Sequence, residues 1–286
     1  MKYHLLALVL IAILLGKYFT RTEQVEQKSD IMPNISIRPF NRLGGANHGW
    51  LNTRHHFSFA DYFDMNRMNW GALRVINDDI VQPGSGFPPH PHRNMEIITY
   101  ILKPNFHPAT DRVEGGEGVR HRDNTGSDGI TLPGDVQVMS VGSEGVVHSE
   151  FHGNPKSKDT VNLFQIWIMP DQRLQKTTWG TRHFPRNDTA NKFITFASGI
   201  SEDKDGDALP INSISRVVGV TLSAGGSATY KLGQNRLAYA VVGQGECKVN
   251  GLKAGAHDGI AVEDTSELTF TSDEGAEIIM VDTHPI

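Results

Sequence analysis

From residue 34 onward the chain is a succession of short apolar or alternating runs: "ALRVIND", "EIITYIL", "GDVQVMSVG", "LFQIWIM", "SRVVGVTL", "LAYAVVG", "ECKVNG" and "AEIIMVD". They are rich in Val, Ile, Tyr and Phe, whose branched or flat side chains suit a pleated, half-buried surface. Glycine and aspartate separate them, in "PGSG", "LPGD", "GQG" and "VNG". Many short strands punctuated by turns predict an all-β sandwich or barrel rather than strands alternating with helices.

Four stretches depart from this rhythm. The chain opens "MKYHLLALVLIAILLGKYF", uninterrupted apolar sequence from Leu5 to Leu15 behind a basic start at Lys2. That core is shorter than the ~20 residues of a full span and suits an export signal, although no small-x-small cleavage site follows it. Residues 1–33 are therefore expected to be a signal peptide or membrane anchor, a hydrophobic helix touching membrane through residues 5–19 if uncleaved, followed by a polar linker. An exported or membrane-anchored, extracytoplasmic location follows from it, with the cytoplasm as the alternative. The Gly- and charge-rich segment 103–119 reads as an extended loop or insertion. The polar segment 173–192 reads as a linker between two β units, 34–172 and 193–286. An acidic loop at 201–210 lacks the ordered positions of a calcium loop and is expected to be solvated.

Composition narrows the choice of chemistry. At 286 residues, 38% of them hydrophobic, the chain can bury one large core or two ordinary ones. A formal net charge of −5 offers no overall attraction for nucleic acid. Cys247 is the single cysteine, so no disulfide can form within the chain and no cysteine-based zinc site exists. Any metal must be held by His, Asp or Glu.

One stretch, "FPPHPHRNMEIITYIL", supplies such ligands. On a strand, residues i and i+2 share a face, so His90 and His92 present two imidazoles side by side while Pro91 points away. In "EGVVHSEFHGN", His148 and Glu150 have the same spacing. Two facing strands would converge three imidazoles and a carboxylate. That donor mix suits Fe(II), Mn(II), Ni(II), Cu(II) or Zn(II), and on an octahedral ion it leaves two positions open for substrate or dioxygen.

The spacing G-x5-H-x-H-x3-E, from Gly84 to Glu96, fits the first cupin motif, and "PGDVQVMSVGSEGVVH" resembles the second. Together with "HGWLNTRHHFSFADYFD", "HRDNTGS", "HSEF" and "LFQIWIMP", these stretches resemble the pirins, bacterial pirin-like quercetinases most closely. The resemblance implies a bicupin, two β-sandwich (jelly-roll) barrels with the metal in the N-terminal one and a metal-free C-terminal one. Carried over, it makes His90, His92, His148 and Glu150 the ligands of one divalent transition metal, iron(II) first, with Mn, Ni, Co, Cu or Zn as alternatives. It implies a dioxygenase that opens flavonol-like rings with O2 and releases carbon monoxide, Glu150 acting as the base. A non-catalytic, metal-binding regulator working through protein partners is the alternative. Phe57, Phe87, Met139 and Glu96 are expected around the substrate pocket, Glu96 on the ligand face by parity. Of His55 and His56, one is expected at the pocket mouth, and His121 is expected on the strand surface.

Overall fold

The runs of Val and Ile become the strands of two sandwiches joined back to back. The protein is described by a computed structural model, whose described residues are 34–102, 117–172 and 176–286. The expected leader, and most of the insertion at 103–119, lie outside them. Among the described residues, no helix is long and apolar enough to cross a membrane.

The first sandwich sets a seven-stranded sheet, in the order Thr178–His183, Asp135–Val141, Met95–Ile101, Val161–Ile168, Leu73–Val81, Leu51–His55 and Gly44–Asn47, against a four-stranded one. That second sheet runs Gly86–His92, Val146–His152, Val119–Asp123, Asp128–Thr131. The second sandwich repeats the plan, a seven-stranded sheet built around Leu237–Gly245 and Ala276–Thr283 facing a four-stranded sheet around Glu267–Thr271.

The two large sheets pack on each other, and this explains why their strands read as continuous apolar runs. Each is covered on both faces. Along Val161–Ile168, Phe164, Ile166 and Ile168 join a core shared with Phe196, Val217, Tyr239 and Ile279 of the second sandwich. The alternate residues Leu163 and Trp167 point the other way, into the first sandwich. The two interiors differ. The second is one apolar cluster, including Val220, Leu222, Val249, Leu268 and Phe270. In the first, two separate small apolar clusters, around Leu163 and around Met139, leave a polar middle.

Two expected boundaries shift. Asn34–Arg38 pairs with Gly259–Glu263, so the start of the expected first unit is an edge strand of the second sandwich. Thr178–His183, expected as linker, pairs with Asp135–Val141 and forms the edge of the first large sheet. Thr178–His183 is polar because an edge strand buries few of its side chains, so its pattern resembles a loop, whereas Asn34–Arg38, with Ile35 and Ile37 on the second core, finds its partner far along the chain.

Candidate metal centre and cavity

Glycine and proline shape the strand that carries the first histidines. Gly84 sits at φ +69°, a left-handed turn conformation that a side chain disfavours. At Gly86 the reason is contact: a Cβ there would lie 2.3 Å from the Glu150 carbonyl oxygen and 2.4 Å from Phe151 Cα. Strand Gly86–His92 is the edge of its sheet, which lets it carry three prolines without breaking a ladder on its free side. It pairs antiparallel with Val146–His152 and sets His148 opposite His90.

The three imidazoles converge. Ring centroids are 4.9 Å apart for His90 and His92, 4.3 Å for His90 and His148, and 4.9 Å for His92 and His148. Each offers a nitrogen, and these atoms all lie within 4.8 Å of one another. The donor atoms are left bare. His90 Nδ1 donates to the Pro88 carbonyl at 2.8 Å, which leaves Nε2 with a lone pair. His92 Nε2 and His148 Nε2 are buried without a hydrogen-bond partner. Burial, reinforced by the neighbouring histidines, pushes His92 down to about 4 and His148 down to about 3. Neutral imidazoles with unpaired buried lone pairs fit a metal ion, since such nitrogens are otherwise costly to bury.

His121 is not on the surface. It is fully buried, its ring stacked 5.2 Å from Trp179. Its Nδ1 lies 3.3 Å from His148 Nδ1 and its Nε2 lies 3.0 Å from Asp123 Oδ2. Parity on an isolated strand could not show that Trp179, from the strand read as linker, covers this side chain. His152, also buried, bonds through Nε2 to the Asp159 carbonyl.

Glu150 shares the inward face of His148 as expected from their spacing, but a register shift lies between the two residues. Its Oε1 accepts from Gln137 Nε2 at 2.9 Å and its Oε2 from Gln165 Nε2 at 2.8 Å. By distance Glu150 groups with His148 and His121, rather than with His90 and His92. The structure thus brings three of the four expected donors into one cluster, with the fourth alongside His148.

A cavity of about 630 Å³ opens beside His90 and His92. Trp50, Phe59, Tyr62, Phe87 and Trp167 supply its aromatic surface, and Thr53, His55, Asn77, Asp79 and Gln165 its polar one. Of the expected pocket residues Phe87 lines it and Phe57, Met139 and Glu96 do not. Phe57 is buried between the sandwiches, its ring 4.9 Å from Tyr239. Met139 packs with Ile97, Val141 and Val146. Glu96 follows His92 across a tight turn, Asn94 at φ +50°, onto the opposite sheet, so strand parity does not carry between them. It faces the second sandwich, accepting from Ser140 Oγ and from Asn212 Nδ2, and burial raises its pKa.

Asp79, Gln137 and Gln165 went unnoticed in the sequence, although a pair of acids inside an apolar strand, "VINDDIV", is itself a signal. Burial pushes Asp79 up to about 7, offset in part by a hydrogen bond from Thr53 and assisted by Asp78 and Glu150. Asp78 faces the other way and pairs with His257 of the second sandwich at 2.6 Å.

Comparison with known proteins supplies the context. Residues 36–168 match the family model described as Pirin, and residues 199–283 match the one described as Quercetinase C-terminal cupin domain. A "Pirin-like protein" of Caulobacter vibrioides is 48% identical over 248 residues, 87% of this chain and 99% of that protein. A "Quercetin 2,3-dioxygenase" of Escherichia coli is 34% identical, the match covering 88% of this chain and 100% of that one. Among solved structures, the bacterial pirin YhhW from Escherichia coli in complex with nickel(II) has a TM-score of 0.76 at 32% identity, covering 88% of this chain and 100% of that one.

Proposed function

From the premise that this chain belongs to the pirin family, we propose that it is a metal-dependent dioxygenase acting on a planar, hydroxylated aromatic of the flavonol type. The observation that carries this reading is the trio of buried imidazoles with bare nitrogens beside a cavity large enough for such a ligand. His90, His92 and His148 would hold the metal through Nε2, and Glu150 would complete the set by giving up one of its amide partners. Iron(II), nickel(II) and manganese(II) all suit this nitrogen-rich set. When bound, the ion supplies Lewis acidity for a chelating hydroxyl and carbonyl pair and a redox centre for dioxygen.

The protein's own groups do the rest. Trp50, Phe59, Tyr62 and Phe87 clamp a flat ring and exclude water from it. Trp167 stands edge-on to His92 at 4.9 Å and to Phe59 at 5.4 Å, bracing the ligand face against the cavity wall. Glu150 would take the proton from the substrate hydroxyl at Oε2, the oxygen that accepts from the cavity-lining Gln165. Dioxygen adds to the deprotonated ring, which opens with release of carbon monoxide.

The test is aerobic turnover of quercetin by protein loaded separately with Fe, Mn, Ni, Co and Cu. Glu150→Gln is expected to lower turnover by about 10²- to 10⁴-fold while leaving metal bound, and His92→Ala is expected to lose metal and activity together. Absence of turnover with every metal would overturn the proposal.

A further inference from the structure

The rim of the cavity carries apolar side chains that face water. Phe59 and Tyr62 pair across a tight turn made by Ala60, at φ +49°, and Asp61, and all four residues line the cavity. Ala60 and Asp61 are also exposed, so this turn stands at the mouth. The chain leaves it through Phe63 and Met65, 68% and 78% exposed, which with Ile286 are the most exposed large apolar side chains among the described residues. Met68, also exposed, follows a single 3-10 turn, Met65–Arg67, that Asp64 caps by accepting from the Asn66 N–H. The loop is held in place: Ser58 Oγ accepts from the Asp64 N–H and donates to the Asp64 carbonyl, both at 2.9 Å. Clustered Phe and Met side chains on a fixed loop beside a cavity mark a contact surface.

We propose that Phe63, Met65 and Met68 form a membrane-docking loop that seats the mouth of the cavity on an anionic lipid surface. The occupant follows from the chain that precedes the fold. Residues 5–15 are an uninterrupted apolar run, shorter than the ~20 residues of a full span and so a weak anchor by itself. Residues 20–33 extend to at most about 50 Å and tether the fold close to whatever surface holds that run. Strand Asn34–Arg38 then leads onto the loop: Arg38 donates to Tyr62 Oη at 2.7 Å and lies 3.8 Å from Asp64 Oδ2. A tether makes the second contact intramolecular, so a few apolar side chains suffice where they would not hold a free protein, and two weak anchors together give stable attachment. Arg38, Arg42 and Arg67 outnumber Asp61 and Asp64 here, which suits anionic headgroups. Docking requires the apolar run to stay on the chain and is independent of the reaction at the metal.

The test places a thiol-linked nitrobenzoxadiazole dye on the full chain, in Phe63→Cys or, as control, in Ile130→Cys. Ile130 is exposed on strand Asp128–Thr131, which meets Trp179 of one edge strand, whereas Tyr62 packs at the opposite edge against Gly44. The native Cys247 is buried and does not compete for the dye. On vesicles of phosphatidylcholine and phosphatidylglycerol, the dye at position 63 is expected to shift to the blue and to be quenched by nitroxide-labelled lipid, while the dye at position 130 reports water. In unlabelled protein, Phe63→Ser combined with Met65→Ser removes only exposed side chains and is expected to weaken partitioning into the vesicles by about tenfold or more. A dye at position 63 that reports water on bound protein, unchanged partitioning of the double variant, or a wild type that does not bind the vesicles overturns the inference. A blue shift that grows with protein concentration in the absence of vesicles assigns the surface to a second copy of the chain and overturns it equally.

Discussion

His121 Nδ1 lies 3.3 Å from Nδ1 of His148, and both rings are buried. With Asp123 accepting from His121 Nε2, the one neutral arrangement that satisfies all these atoms has His148 donating from Nδ1 to His121. That leaves the lone pair of His148 on Nε2, facing His90 and His92. Asp123 is held in turn by the backbone N–H groups of Thr125 and Ser127 and by the Thr125 hydroxyl; burial pushes its carboxyl up, but the bond from His121 and these bonds outweigh it and keep it down at about 2.

Breaking this chain should therefore weaken metal binding without touching a ligand. We expect His121→Leu or Asp123→Asn to lower affinity for Ni(II) by about 10- to 100-fold. Competition against a chromophoric chelator measures it. An unchanged affinity would mean that packing alone orients His148.

Glu96 bridges the sandwiches rather than lining the site, so its removal should be felt in stability and not in metal content. Glu96→Leu leaves Ser140 Oγ and Asn212 Nδ2 without an acceptor, a loss of about 1–3 kcal/mol. Urea denaturation gives the stability, and elemental analysis should return the wild-type metal content. A metal-free Glu96→Leu protein that is folded and stable would place Glu96 among the ligands after all.

The pH dependence of folding should carry the signature of Asp79. Its pKa rises from 3.8 in the unfolded reference to about 7 in the fold, so its favourable contribution is complete below pH 3.8 and is lost as pH climbs through about 7. Asp79→Asn removes that slope. Relative to wild type, the variant should gain stability between pH 4.5 and pH 8, by an amount of order 4 kcal/mol at most. Denaturation curves at the two pH values measure the change, and parallel shifts at both would contradict it.

Gly86 has no room for a methyl group. Gly86→Ala would drive a Cβ into the backbone of Glu150 and Phe151, separating the strands that carry the histidines. We expect reduced metal content together with a destabilisation of about 1–3 kcal/mol. Elemental analysis and thermal melting test both, and a variant with full metal content would show that the strands can part without moving His90.

Much of the protein is local in origin, and that part was readable. The period-two spacing of His90 with His92, and of His148 with Glu150, fixes which side chains share a face of one strand, and alternation of small runs with turns implies an all-β fold. What lies between strands is not local. Glu96 follows His92 by four residues yet faces another sandwich, because a turn moves the chain to a different sheet. His121 is buried because Trp179, distant in sequence, stacks on it. Asn34–Arg38 and Thr178–His183 complete sheet edges whose partners lie far along the chain. Asp79 becomes a cavity residue only once two sheets enclose a space between them. Alternation of side chains follows from backbone geometry within a strand, whereas burial, pairing and cavity walls arise when separated strands meet.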